Sequence, residues 1–449
     1  MEMIQYIVPD DYPDIQSAID AGPIDEFLDV HARSGDWTLN PVSKWPPNQI
    51  VVRPNLLLRG DGIDKTIVEM VPPELANTMR TDVITSVSDT ANFTLQDLTV
   101  NQNATPDNAG SSAVYLRTGN HSDILFRRVK VINAFGAGLA VPRGINVSIE
   151  DCIAENVHTG ITLIGCDGFK LLRNDIRNVP GNAIYPGWAC RNGLIERNRL
   201  ESAGDLAIDI TSNAPNPPSD NIIARYNEVI NGHVRVTNSV NIILYKNKIV
   251  YGWITVDSGQ ALASNVTVQE NEVITDRANG IRFAGVSLCD AIGNKIKMLP
   301  PIAGIDKQIG MRLAIRGPSR IENNEITGSR DYGMDFAGWG LGGDTDMTIL
   351  NNKIADFGDI GIYDNAKNQG KIKILQNKIY STLPTARLGI LTDYVANNWL
   401  IEKNALKVGE LVGNQAIYAP GSTLIDNYEY TPTSLAPLAL LAGIYYLFK

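Results

Sequence analysis

The chain has 449 residues, with 39 Lys and Arg against 49 Asp and Glu for a formal net charge of −10, and 44 % of its residues are hydrophobic. Charge is spread along the chain and no basic stretch stands out, which excludes a nucleic-acid surface, and no Walker-type phosphate loop is present. The 4 cysteines, Cys152, Cys166, Cys190 and Cys289, fit no metal-ligand spacing, so a structural zinc site is excluded as well.

At the N-terminus Met1–Gln5 lacks a basic start and a long apolar core, so no signal peptide is visible. There follow Tyr12-Pro13-Asp14-Ile15-Gln16-Ser17-Ala18-Ile19-Asp20-Ala21, then Ile50-Val51-Val52, Leu56-Leu57-Leu58-Arg59-Gly60-Asp61-Gly62 and Thr66-Ile67-Val68. Together with the repeats further on, this stretch resembles the opening of pectin-lyase-like right-handed β-helix proteins. The resemblance covers roughly residues 5 to 430 and implies a short amphipathic helix capping the first coil. It is specific for fold and not for activity, because that superfamily holds polysaccharide lyases, glycoside hydrolases, epimerases, phage tailspikes and adhesins without catalysis. Arg59-Gly60-Asp61 reads as a tight turn.

The middle of the chain yields the fold independently. Asparagine followed two residues later by an aliphatic recurs at Asn174, Asn198, Asn227, Asn247, Asn271, Asn294, Asn324, Asn352, Asn377 and Asn404, at intervals of 20 to 30 residues. A period in the twenties with variable slack marks a solenoid whose strands persist while its loops change length. Around each asparagine, apolar and polar residues alternate as in a strand, and a second strand often opens with glycine, as in Gly280-Ile281-Arg282-Phe283 or Gly333-Met334-Asp335-Phe336. Short strands without intervening helices predict an all-β fold, a right-handed single-stranded parallel β-helix with a short N-terminal capping helix. Adjacent coils then lie about 4.8 Å apart, so the asparagines should stack into a ladder inside a turn and hold the left-handed backbone of that corner. Upstream, the same slot is expected to hold Asp151, Val129 and Leu98. The expected organisation is 1–70 as cap and first coil, 71–430 as β-helix, and 431–449 as an apolar tail.

On successive coils the residue after the apolar anchor of the second strand faces outward: Ala140, Thr162, Tyr185, Asp209, Arg235, Thr255, Arg282, Arg312, Asp335, Tyr363 and Leu391. A strip of tyrosines, arginines and aspartates at roughly 4.8 Å steps suits an extended polysaccharide, with arginine clamping carboxylates or sulfates and tyrosine offering a ring and a hydroxyl. A plain solvated face with Asp209–Arg235 and Arg312–Asp335 ion pairs explains the same letters. Trp188 and Trp339 follow Tyr185 and Asp335 at one rim, placed for stacking on a sugar or for packing on the loop below. The expected substrate-binding set is Arg235, Arg282, Arg312, Asp335, Tyr363, Trp188 and Trp339.

For catalysis, Asp209 and Asp257 lie two coils apart, about 10 Å by strand spacing, at the edge of what glycosidic hydrolysis accepts. Elimination from a uronic acid would use an arginine to neutralise the carboxylate and Tyr185 or His233 as base, although His233 sits at a corner and reads as structural. Asp209, Asp257 and Tyr185 are therefore the catalytic candidates. The resemblance implies signatures that are missing: the only Asp-Asp is Asp10-Asp11, Gly232-His233 is followed by valine, and no Asp-Pro-His occurs. No metal ligands or cofactor are expected, with Asp344 and Asp346 leaving a calcium ion open. Whether the protein is an enzyme stays open.

Cys166 and Cys190 are expected on successive coils, bonded or as free thiols. The sequons at Asn92, Asn120, Asn146 and Asn265 read as structural asparagines. The mostly apolar residues 435–448 would span about 21 Å as helix, short of a bilayer core of about 30 Å. They would cap the last coil, bury themselves in an oligomer or tether the protein to a membrane. Three functions compete: a glycan-binding virion or phage spike, expected as a homotrimer on the virion surface; an extracellular or cell-surface polysaccharide lyase, epimerase or hydrolase; and a structural solenoid.

Overall fold

The structure is a computed structural model that describes residues 3–39, 49–70, 82–104, 111–204, 206–213, 215–259, 263–336, 345–364, 370–393 and 398–430. Over these the chain winds into a parallel β-solenoid of about 15 turns. A central coil shows the plan: Ser239–Tyr245 forms a first wall, Lys248–Val250 a second and Ile254–Asp257 a third. Each pairs in parallel with its counterpart one coil on, in Ser264–Gln269, Glu272–Thr275 and Asn279–Ser287.

Strand alternation explains the core. On the third wall Ile208, Val234, Ile254, Ile281, Met311, Met334, Ile362 and Ile390 stack coil upon coil, none more than 1 % exposed. Each such burial contributes roughly 1.5–3 kcal/mol, and no coil can hide its inner face without its neighbours. Glycine precedes the anchor because the second-wall aliphatic closes on that point. A Cβ on Gly333 would lie 2.2 Å from Ile354 Cγ2 and 2.6 Å from the Gly361 carbonyl.

The asparagine ladder forms as expected. From Asn174 to Asn404 each side-chain amide donates to the next asparagine's Oδ1 at 2.8–3.0 Å and also to a backbone carbonyl of the preceding coil. The row continues one rung further, to Asn427, which lacks an aliphatic two residues on and so escaped the pattern. Two expectations need correction. The left-handed backbone belongs to the residue before each ladder asparagine, including Arg173, Arg197, Tyr226, Lys246, Glu270, Gln376 and Lys403. That kink turns its own side chain to solvent and the following asparagine inward. Upstream, the slot holds Cys152, whose N–H donates to Asn174 Oδ1 at 3.0 Å, and then Val129 and Leu98. Asp151 is the left-handed residue, with φ 54°, and pairs with Arg173 at 2.7 Å.

A second, exposed ladder lines the start of the first wall. Asn92, Asn146, Asn192, Asn221, Asn241 and Asn265 all adopt positive φ, and Asn221 reaches Asn192 at 2.8 Å as Asn265 reaches Asn241 at 2.5 Å. Three of the four sequons thus carry turn asparagines. At the N-terminal end α1 (Ile15–Ala21) buries Ile15, Ala18 and Ile19 over the first coil, with Asp14 as N-cap accepting from the Ser17 N–H at 2.8 Å. At the other end Leu424 pairs in register with the buried Ile401 yet is 38 % exposed. The tail residues 435–448, with the capping, assembly and membrane-contact expectations attached to them, lie outside the described residues. Among the described residues no helix is long and apolar enough to cross a membrane.

Candidate functional site

The outward column of the third wall is continuous. In register it runs Thr162, Tyr185, then Asp209, Arg235, Thr255, Arg282, Arg312, Asp335, Tyr363 and Leu391. The expected strip residues therefore lie over one another on one wall. The strip is also longer than the sequence suggested, with Thr85 and Tyr115 before Ala140 and Tyr418 after Leu391. Those ends escaped notice because the upstream coils lack the asparagine marker and the last strand is only two residues long.

The members differ in how far the protein has already used them. Asp209, 1 % exposed, receives Arg235 Nε at 2.9 Å and Nη2 at 2.8 Å, and Asn182 Nδ2 at 3.3 Å. That carboxylate is committed to holding Arg235. Asp257 lies two coils on and two residues further along the strand, about 12 Å from Asp209 between Cα atoms by strand geometry, and accepts from the Gly259 N–H at 3.0 Å. Tyr185 is half-buried, and burial, followed by the nearby Asp209, raises its phenol above the ordinary value.

Asp335 sits five coils from Asp209 in the same column and contrasts with it. It is 2 % exposed, its Oδ2 lies 3.6 Å from Arg312 Nε, and its Oδ1 has no hydrogen-bond partner. Burial raises its pKa against the pull of Arg312 and Lys307. Beyond it Tyr363 donates to Asp393 at 2.5 Å and its ring meets Tyr332 at 4.7 Å. Trp188, 41 % exposed with φ 50°, stands at the far rim of the wall. Trp339 and Asp344 lie outside the described residues, so the second rim tryptophan and the calcium pair are not described.

One aromatic was missed. Trp253 occupies the slot that holds glycine on most coils, stacks on His233 at 3.3 Å and 24°, and donates its indole N–H to Thr255 Oγ1 at 2.9 Å. The tight approach that glycine normally serves moves back one residue, where a Cβ on Gly252 would lie 1.8 Å from the Gly232 carbonyl. Both rings thus stand beside the strip. Burial pushes the His233 imidazole down to about 4, with Arg277 adding to the shift, so it is neutral at physiological pH. The cysteines are all buried and free, and Cys166 and Cys190 occupy successive coils as expected, with the Cys166 N–H 3.4 Å from Cys190 Sγ.

A family model described as "Right handed beta helix region" matches residues 83–249 and 159–306. The curated mannuronan C5-epimerase AlgE1 of Azotobacter vinelandii is 25 % identical over 170 residues, 36 % of this chain. The matched part spans only 11 % of that protein's length. Among solved structures, the A-module of A. vinelandii mannuronan C-5 epimerase AlgE4 superposes with a TM-score of 0.51 at 16 % identity, covering 83 % of this chain and 94 % of that one. The N-terminal fragment of bacteriophage phi29 gene product 12 superposes with a TM-score of 0.61 at 12 % identity, covering 90 % and 69 %. At these identities the structural likeness is one of fold. The chain has the right-handed parallel β-helix (pectin-lyase-like) fold.

Proposed function

We propose that this β-helix recognises an extended glycan laid along the third wall, as a receptor-binding spike of a virion or cell surface would. One observation carries the reading: hydroxyl, guanidinium and carboxyl side chains repeat at strand spacing in one unbroken outward column from Tyr185 to Tyr363, with Trp188 and Trp253 beside it. A repeating polymer is matched by a repeating surface, and aromatic faces with hydrogen-bonding groups are what sugar rings require. That a bacteriophage gene product and an epimerase module share the solenoid is compatible with it.

A second reading, turnover of a polysaccharide, draws on the 25 % identity to a mannuronan C5-epimerase over part of the chain. The commitment of Asp209 to Arg235 weighs against hydrolysis by that carboxylate. Both readings meet one experiment, in which the purified protein is presented to a glycan array and to bulk polysaccharides, with products followed by reducing ends and by the ultraviolet absorbance of unsaturated sugars. Binding without product supports recognition alone, and product moves the assignment to an enzyme. A folded protein that binds no glycan would leave the solenoid structural and overturn the proposal.

A further inference from the structure

Many surface cations on this solenoid are met by an acid one coil away: Arg128 by Asp97 at 2.6 Å, Arg173 by Asp151 at 2.7 Å, Arg320 by Asp290 at 2.7 Å and Lys353 by Glu325 at 2.6 Å. The strip departs from that habit at one place. Arg282 pairs in register with Thr255 on one side and with Arg312 on the other. Among the described residues Arg282 makes no hydrogen bond and no ion pair. Arg312 Nε is buried without a hydrogen-bond partner, and its one acid, Asp335, stands at 3.6 Å with its own Oδ1 unpartnered.

Two like charges placed directly opposite one another in a parallel ladder destabilise it, and buried donors left unfilled add to the cost. A folded protein tolerates this where a ligand relieves it. Planar guanidinium forks match the oxygens of carboxylates, sulfates and phosphates. The neighbouring Thr255 already accepts from Trp253, so its own proton is left to donate, and the Trp253 ring stands next to it as an apolar face.

We propose that Arg282 and Arg312 form an anion-binding subsite, so that the glycan on this wall is acidic, with the anionic group of one sugar between the two guanidiniums. The inference rests on the third wall being a glycan track and adds the substrate class. Uronate carboxylates and sulfate esters share the required chemistry. Because the chain carries a net charge of −10, the subsite attracts the anionic group locally, against the field of the whole.

Affinity is measured by calorimetry for an oligogalacturonate, its methyl ester, a chondroitin sulfate oligosaccharide and a neutral cello-oligosaccharide, with wild type, Arg282→Ala, Arg282→Lys and Arg312→Ala, and Arg320→Ala as a paired control. The expected result is binding of an acidic probe, reduced by about tenfold or more in Arg282→Ala and Arg312→Ala, partly kept by Arg282→Lys and unchanged in Arg320→Ala. Preference for the galacturonate over its ester assigns a carboxylate, and preference for the sulfated probe assigns a sulfate ester. The melting temperature of Arg282→Ala should stay the same or rise, because repulsion is removed, whereas a structural arginine would lower it. Binding of the neutral probe as tight as of the acidic ones, unaffected by either alanine, overturns the acidic assignment and leaves the glycan reading standing. A folded protein that binds none of these probes and no glycan on an array overturns both.

Discussion

Arg235 lies one coil beyond Asp209 and closes on its buried carboxylate through two parallel hydrogen bonds of 2.9 and 2.8 Å. Four coils along the same wall, Arg312 and Asp335 occupy the reverse order and reach only 3.6 Å. One pair is closed and the other open, although both are an arginine and an aspartate on neighbouring coils.

Truncating Arg235 should therefore be costly. Arg235→Ala takes two hydrogen bonds away from the buried Asp209 carboxylate, and a loss of about 2–3 kcal/mol is expected, below the usual cost of breaking a buried pair because Arg235 is partly solvated. Asp209→Asn with Arg235→Ala should recover at least half of that loss. Thermal unfolding of the two single variants and the double variant checks this, and strictly additive effects would remove the closed pair as a stabilising unit. Arg312→Ala should cost less than Arg235→Ala, since Asp335 already has an open Oδ1 and a pKa raised by burial.

The ladder sets a steeper gradient. Asn294 accepts from the Asn271 backbone N–H and side-chain amide, both at 3.0 Å, and donates to the Val268 carbonyl at 2.8 Å and to Asn324 Oδ1 at 2.9 Å, all out of water. Asn294→Ala strands several buried partners at once, for an expected loss of about 3 kcal/mol or more. Asn427→Ala, on the half-buried last rung, should lose about 1 kcal/mol. Hydrogen exchange of the neighbouring coils reads the difference locally, which suits a solenoid whose coils need not unfold together. Equal effects at the two rungs would mean that burial of the ladder is not what matters.

How much of this was legible followed from what repeats. The ladder and the register of the strip were readable because each rung must bond the next, so the same letter returns once per coil. The left-handed corner was misplaced by one residue because its backbone is imposed by the ladder, which lets arginine, tyrosine, lysine and glutamate all sit there. Cys152 was overlooked in the first rung for a related reason: it needs only its backbone N–H, which donates to Asn174 Oδ1. Register also names neighbours without saying whether their side chains meet, so the closed Asp209–Arg235 pair and the open Asp335–Arg312 pair looked alike in sequence. Trp253 was visible in the strand pattern, but its role depends on a ring on the preceding coil.

That ring, His233, makes stability depend on acid. Burial lowers the imidazole pKa from 6.5 to about 4, and the Arg277 charge pushes the same way. Because the folded state resists the proton that the unfolded chain accepts, the contribution is intact above pH ~6.5, declines as pH falls toward ~4 and is constant below that. About 2 kcal/mol is the expected size once partial exposure is allowed for. His233→Phe keeps a ring against Trp253 and removes the titration. The stability of wild type minus that of the variant should be flat above pH ~6.5 and fall between pH ~6.5 and ~4. His121, also lowered by burial, and Asp82 and Asp335, raised by burial with the opposite sign, are present in both proteins and cancel in the difference. Denaturant unfolding of both proteins at several pH values across that window measures it, and a difference that stays flat throughout would mean that His233 takes its proton as easily folded as unfolded.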